Sequence, residues 1–140
     1  MQTFLPYPNF EESAKCLDYK RLGKERLEAM QILNCLLSNR KAGWKNHPAV
    51  RMWEGYEEAL KSYMNAMIRE WLKRGYRNTM KIEKVKTNFS YPIWVGDNRF
   101  HSSHRQTLLF KNYEWYKQFR WEESPKYEYF WPVELIGKRK

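Results

Sequence analysis

The chain has 140 residues, with 26 Lys and Arg against 16 Asp and Glu, a formal net charge of +10 at pH 7. This length fits one domain, and a hydrophobic content of 42% with seven Trp excludes an intrinsically disordered chain. No apolar run approaches the roughly 20 residues that span a bilayer, and the first residues lack the pattern of a secretion signal. We therefore expect a single domain over residues 1–140, a cytoplasmic monomer with no membrane contact and no cofactor.

The positive charge is concentrated in the second half of the chain. Residues 1–70 contain 11 Lys and Arg and nine Asp and Glu, whereas residues 71–140 contain 15 and seven. A polyanion is the simplest partner for such a surplus, and nucleic acid is the commonest polyanion. The alternative is a basic protein without a polyanionic partner.

Two helices are predicted after an irregular N-terminal segment that contains two prolines. Asn9 can cap a short helix over residues 10–17, and Asp18 can cap a longer helix that reaches about Leu37. The longer helix has apolar residues close to helical spacing at Leu22, Ala29, Leu33 and Leu36.

The next helix has the clearest pattern. Residues 38–47 are predicted as a loop, Pro48 suits the first position of a helix, and Gly75 is a natural terminator. Between them the apolar residues recur at intervals of three and four: Trp53, Tyr56, Leu60, Met64, Met67 and Trp71.

A third helical region is predicted to begin near Ser102 or Ser103, after a loop over residues 88–98. The tail from Ser124 is aromatic and contains two prolines, so we expect it to pack as an irregular strap. Strand signals are weak throughout. The predicted fold is all-α, a single compact domain of three main helices with an irregular N-terminal segment and an aromatic C-terminal strap.

Glu28 is a candidate catalytic carboxylate on the second predicted helix. It lies between a basic turn and an apolar one, and a carboxylate partly buried among cations can act as a general acid or base. The alternative is a surface glutamate paired with Lys24, four residues earlier.

His47 precedes the helix that begins at Pro48. The helix dipole disfavours its charged form there, and the neighbouring backbone N–H groups could receive a phosphate. The alternative is a loop histidine that caps the helix.

The segment 101–105 combines two histidines, two serines and an arginine. His101 and His104 could share a helical face, but a metal site would need a closer third ligand. A phosphate contact through Ser103 and Arg105 is better supported. The alternative is a capping serine with surface histidines.

The stretch 73–86 contains six cations and one carboxylate, and it is the strongest basic segment of the chain. Such a segment gives salt-dependent affinity for nucleic acid that is blind to sequence, and Tyr76 and Phe89 nearby could stack on bases. The alternative is a solvated loop. Its cations are Lys73, Arg74, Arg77, Lys81, Lys84 and Lys86.

These segments together resemble the pyrimidine-dimer DNA glycosylase family, the small helical enzymes also called T4-type endonuclease V. LDYKRL at 17–22 with EAM at 28–30 is similar to the family's first long helix. NHP at 46–48 with EWLKRGY at 70–76 is similar to its second. HSSHR at 101–105, LL at 108–109 and YFWP at 129–132 resemble a branch of short bacterial and viral relatives.

The resemblance implies a glycosylase with an associated AP-lyase step, acting on double-stranded DNA with a damaged or modified base. An N-terminal amine, here that of Met1, would attack C1′ of the sugar with help from a glutamate that aligns with Glu28. The family's histidine aligns with His47. Contacts with DNA are expected from Arg21, Lys24, Arg26, Lys73, Arg74, Arg77, Lys81, Lys84, Lys86, His101, Ser103, His104 and Arg105.

Two further hypotheses remain open. A non-catalytic nucleic-acid-binding protein would use the basic 73–86 stretch and would not depend on Glu28. An enzyme acting on free nucleotides would use the histidine-rich segment and would need no duplex.

Overall fold

The computed structural model describes residues 1–38 and 46–132. Within these ranges the protein consists of six α-helices, short 3₁₀ turns and irregular segments, with no strand. This confirms the predicted all-α fold class.

The first two helices lie where the sequence predicts them. Helix α1 spans Phe10–Cys16, and the Asn9 side chain caps it by accepting the Glu12 N–H at 2.8 Å. Helix α2 spans Tyr19–Leu37. Asp18 stands at its N-terminus, but the Asp18 carboxylate accepts the Tyr116 hydroxyl and makes no side-chain cap. Most of the predicted loop over residues 38–47 lies outside the described residues.

The predicted single helix from Pro48 is two helices, so this prediction was wrong. Helix α3 spans Pro48–Arg51 and helix α4 spans Glu57–Lys73. Gly55 has φ of 86° between them, a left-handed conformation that no α-helix contains. The break lets Trp53 enter the core from the connection, where its indole N–H donates to Thr3 Oγ1 at 2.9 Å.

The third helical region begins earlier than predicted. Helix α5 spans Asn98–Lys111, because the Asp97 side chain accepts the Arg99 N–H and caps the helix at its N-terminus. The helix therefore begins four residues before Ser102. After Asn112 the short helix α6 spans Tyr113–Tyr116 and continues into a 3₁₀ turn over residues 117–119.

Helices α2 and α4 form the main helical contact of the core. Gly23 permits their close approach, because a Cβ atom there would lie 3.1 Å from the Trp71 ring. Helix α1 packs on α4 as well. The apolar face of α4 lies in this core, as its periodicity predicts.

The residues after Ser124 form the predicted irregular strap, which follows helix α5 up to residue 132. Its backbone is fixed by α5 side chains, since Thr107 Oγ1 donates to the Glu128 carbonyl at 3.0 Å and Ser103 Oγ accepts the Phe130 N–H at 3.0 Å. The helices of the described residues include none long and apolar enough to cross a membrane.

Candidate active site

The N-terminal segment passes through the interior of the protein and does not lie on its surface. Residues 2–6 are buried, and Phe4 and Leu5 belong to the hydrophobic core. The backbone N–H and C=O groups of an extended segment cannot form hydrogen bonds with one another, so side chains of the helices must supply the partners. The Phe4 N–H donates to Glu25 Oε1 of α2 at 2.9 Å, and the Phe4 carbonyl accepts the Tyr63 hydroxyl of α4 at 2.9 Å.

His101 and His104 of α5 bind the next residue of this segment. His101 Nδ1 lies 2.7 Å from the Leu5 carbonyl, and His104 Nδ1 accepts the Leu5 N–H at 2.9 Å. His101 Nε2 accepts the Gly96 N–H at 2.9 Å, so its proton is on Nδ1 and is donated to Leu5. Burial is the main cause that lowers the pKa of both histidines, and the two rings are therefore neutral.

Arg105 and Ser103 complete this anchorage. Arg105 Nη1 donates to the Pro6 carbonyl at 2.8 Å, and its guanidinium forms an ion pair with Glu123 at 2.9 Å. Ser103 is buried between α5 and the strap. All four predicted residues of the 101–105 segment thus have internal partners, and their contact with DNA stays a prediction.

Glu28 is half-buried on α2 and faces the same region as the N-terminal segment. Its side chain is 21% exposed, and its Oε2 lies 3.7 Å from Arg21 Nη1. The partner is therefore Arg21, two turns earlier, and the alternative pairing with Lys24 is not observed. Arg21 also lies over the Phe4 ring, 4.8 Å from its centroid, which links the cation to the N-terminal segment.

Glu25 is fully buried one turn before Glu28, and their carboxyl groups are in hydrogen-bonding contact. Burial, and next to it the negative charge of Glu28, raise the pKa of Glu25 well above its usual range, while Arg21 acts in the opposite direction. These effects favour the neutral, protonated form of Glu25. Sequence reasoning missed this residue, although it falls on the buried stripe of α2 with Leu22, Ala29 and Ile32.

His47 stands at the other end of the N-terminal segment, beside Met1. Its Nδ1 accepts the Ala49 N–H at 3.0 Å, so it caps α3 as one of the two predictions for it states. Burial lowers its pKa, and the positive charge of the Met1 amine lowers it further. Trp131 of the strap packs edge-on against its ring, with centroids 5.9 Å apart.

Apart from Arg21 and Arg105, the predicted DNA-binding lysines and arginines form two groups. Arg26 lies 4.2 Å over the Trp71 ring and donates to Asn78, and Arg74 binds Glu70 and the carbonyls of Ala14 and Lys15. These two arginines connect elements of the fold. Six further predicted cations are exposed to solvent: Lys24, Lys73, Arg77, Lys81, Lys84 and Lys86.

A basic cleft opens beside Arg21, between the start of α2 and the end of α5. It has a volume of about 370 Å³, and it brings together cations that are distant in the sequence. Lys20 and Lys111 were not predicted as site residues, because nothing in the sequence places α5 against the start of α2. The cleft is lined by Asp18, Lys20, Arg21, Lys24, Leu108, Lys111 and Asn112.

Comparison with known proteins assigns the class to which this fold and site belong. The family model described as pyrimidine dimer DNA glycosylase matches residues 1–84, which include the N-terminal segment, α2 and α4. The chain belongs to the pyrimidine dimer DNA glycosylase family, and it is therefore an enzyme of DNA repair that acts on DNA. No curated protein and no solved structure matches the chain.

Proposed function

We propose that this glycosylase uses the Met1 amine as its nucleophile and Glu28 as the carboxylate that assists it, with an AP-lyase step after base removal. One observation supports this assignment above the others: the buried anchorage of residues 2–6. Bonds from Glu25, Tyr63 and the α5 histidines hold this segment against α2, the helix that contains Glu28. A nucleophile at the end of a fixed segment loses little entropy on reaction.

The proposed chemistry begins with the unprotonated amine. Its lone pair forms a bond to C1′ of the damaged nucleotide while the C1′–N bond to the base breaks, and the base leaves with that electron pair and takes up a proton. Glu28 accepts a proton from the attacking amine. The C1′–O4′ bond then breaks as the nitrogen lone pair forms the C1′=N bond, and O4′ takes up a proton, which opens the sugar ring and leaves a protonated imine. Removal of a C2′ proton then expels the 3′ phosphate by β-elimination and cleaves the strand.

His47 supports this chemistry as a neutral neighbour. The factors that lower its pKa keep the imidazole uncharged near pH 7, and with Nδ1 occupied by the Ala49 N–H its proton is on Nε2. A neutral ring beside Met1 adds no second positive charge against the cationic imine that the reaction forms.

DNA would follow the basic surfaces on either side of this region. The exposed cations of the 73–86 stretch would bind backbone phosphates without regard to sequence. The basic cleft would hold a phosphate close to the reacting nucleotide, because Arg21 belongs both to the cleft and to the Glu28 ion pair.

Borohydride trapping on duplex DNA with an abasic site tests the covalent step. The wild-type protein is expected to form a reduced adduct, and peptide mapping is expected to place it on Met1. Glu28→Gln should reduce the trapping rate by about 100-fold, a usual loss for a missing general base. An extension of two residues before Met1 should also abolish the adduct at its normal position. The matched control is Glu114→Gln, since the Glu114 carboxylate is exposed and pairs with Lys117.

Trapping that survives both changes would refute the proposed roles of Met1 and Glu28. Base release is measured separately on UV-irradiated duplex DNA, because a glycosylase without lyase activity removes the base and leaves the strand intact. Release of the damaged base with no borohydride adduct would support the glycosylase activity and refute the amine mechanism.

A further inference from the structure

Glu25 is a buried acid that the proposed chemistry does not use. Its side chain on α2 is completely inaccessible to solvent, whereas every other acidic residue that the structure describes is at least partly exposed. A glutamate is almost never fully buried unless its carboxyl group has partners. The contacts of its two oxygens therefore indicate what it does.

The first oxygen holds the N-terminal segment. Glu25 Oε1 accepts the Phe4 N–H at 2.9 Å, and the Phe4 carbonyl accepts the Tyr63 hydroxyl at 2.9 Å. Phe4 is thus bound on both sides, by α2 and by α4. Because Met1 is only three residues away, the position of its amine depends on this attachment.

The second oxygen has no such backbone partner. Glu25 Oε2 and Glu28 Oε2 are both buried, and neither accepts a hydrogen bond from an N–H or O–H group among the described residues. The two carboxyl groups are nevertheless in contact. Two ionised carboxylates in contact would repel each other. A single proton shared between the two carboxyl groups removes the repulsion.

We propose that Glu25 is a positioning residue of this active site: one oxygen fixes the N-terminal segment through Phe4, and the other, as a carboxylic acid, donates a hydrogen bond to Glu28. One side chain then positions both the nucleophilic amine and the carboxylate that assists it. This inference rests on the proposed function for its catalytic meaning, but the shared proton is a property of the folded protein alone.

The groups that face Glu25 come from three elements. Arg21 and Glu28 lie on α2 itself, Tyr63 on α4 and Tyr129 on the strap. Of these, Arg21 favours the ionised form of Glu25 and Glu28 opposes it, and burial adds to the effect of Glu28. A glutamine at position 25 reproduces the neutral acid, since its carbonyl can accept the Phe4 N–H and its amide can donate to Glu28.

The shared proton is tested by NMR titration of the protein labelled with ¹³C at the glutamate carboxyl carbons. One resonance, assigned by its loss in Glu25→Gln, should remain in the protonated position at pH values at which the exposed glutamates are already ionised. In Glu28→Gln, whose neutral side chain removes the adjacent charge, the same resonance should titrate at a lower pH. A Glu25 resonance that titrates with the exposed glutamates overturns the proposal.

The positioning role is tested by trapping rates with three variants of the full chain. Glu25→Ala should slow trapping by about 100-fold, since a misplacement of about 1 Å costs a rate factor of that size. Glu25→Gln should trap nearly as fast as wild type. The double variant Glu25→Gln/Glu28→Gln should stay as slow as Glu28→Gln alone. Circular dichroism and thermal unfolding identify a variant that fails to fold, in which case the comparison of Gln with wild type decides.

The outcomes separate the two proposals. If Glu25→Gln is as slow as Glu28→Gln, or if Glu25→Ala traps as fast as wild type, Glu25 is not a positioning residue. If the wild-type protein forms no adduct while the NMR titration shows the shared proton, the amine mechanism fails and the contact between Glu25 and Glu28 stands without a catalytic role.

Discussion

His104 Nδ1 accepts the backbone N–H of Leu5 at 2.9 Å, a bond between residues 99 positions apart in the chain. The histidine is fully buried, and its other ring nitrogen, Nε2, has no hydrogen-bond partner among the described residues. The only hydrogen bond of this buried imidazole among the described residues is therefore the one to the N-terminal segment. The bond fixes the path of the segment, and the proposed reaction takes place at the end of that segment.

Removing the His104 imidazole should destabilise the protein strongly. His104→Ala leaves the buried Leu5 N–H without an acceptor and opens a cavity against Phe4 and Phe100, which together cost about 2–5 kcal/mol of unfolding free energy. His104→Asn supplies an acceptor in a similar position and should lose less. Urea unfolding of the three proteins measures the difference. Equal losses for Ala and Asn would mean that the hydrogen bond contributes nothing beyond packing.

Acid should unfold the protein through its buried histidines. The pKa of His101 and of His104 is lowered in the folded state, so the unfolded chain binds more protons below the ordinary value of 6.5. The stability that these neutral rings provide is complete above pH 6.5 and is lost as the pH falls through their folded pKa values. Thermal unfolding between pH 7.5 and pH 5 should show a decreasing melting temperature.

Glu25 contributes a pH dependence of the opposite sign. Its folded pKa is raised, so its contribution is complete below its ordinary value of 4.5 and is lost as the pH rises through the folded value. Glu25→Gln removes this contribution and leaves that of the histidines. The variant should therefore lose stability more steeply than wild type between pH 6.5 and pH 4.5. A slope unchanged from wild type would contradict a protonated Glu25.

The basic 73–86 stretch should determine much of the salt dependence of DNA binding. Lys81 and Lys84 are exposed, and replacing both with alanine should reduce the slope of log affinity against log salt concentration by about 2. Fluorescence anisotropy with an undamaged duplex at several salt concentrations measures the slope. Lys117→Ala, which removes an exposed lysine already paired with Glu114, should leave the slope unchanged. Equal slopes for all three proteins would mean that Lys81 and Lys84 do not contact the DNA.

The basic cleft should affect the damaged site more than general DNA binding. Replacing Lys20 and Lys111 with glutamine approximately keeps their length and removes two positive charges from the lining of the cleft. We expect weaker binding to abasic-site duplex by about 10-fold, and a smaller loss on undamaged duplex, because two phosphate contacts near the reacting nucleotide are lost. A loss equal on both duplexes would make the cleft part of the general DNA-binding surface.

Local signals in the sequence predicted most of the helices. The cap at Asn9, the start of α3 at Pro48 and the apolar period of α4 depend on neighbours a few residues apart, and all three are found in the structure. The start of α5 was predicted too late because the capping role of Asp97 was not recognised. Family membership was likewise indicated by short sequence motifs and is confirmed.

The sequence by itself determined the all-α class, the surplus of positive charge and the position of Glu28 on a helix, because each follows from composition or from spacing within one element. Only the tertiary structure decided which polar side chains are buried and what they bind. Glu25, His101 and His104 acquire their roles from an N-terminal segment that is remote in sequence and passes between three helices. The pKa values of these groups depend on burial and on neighbouring charges, and both arise only when those helices pack together.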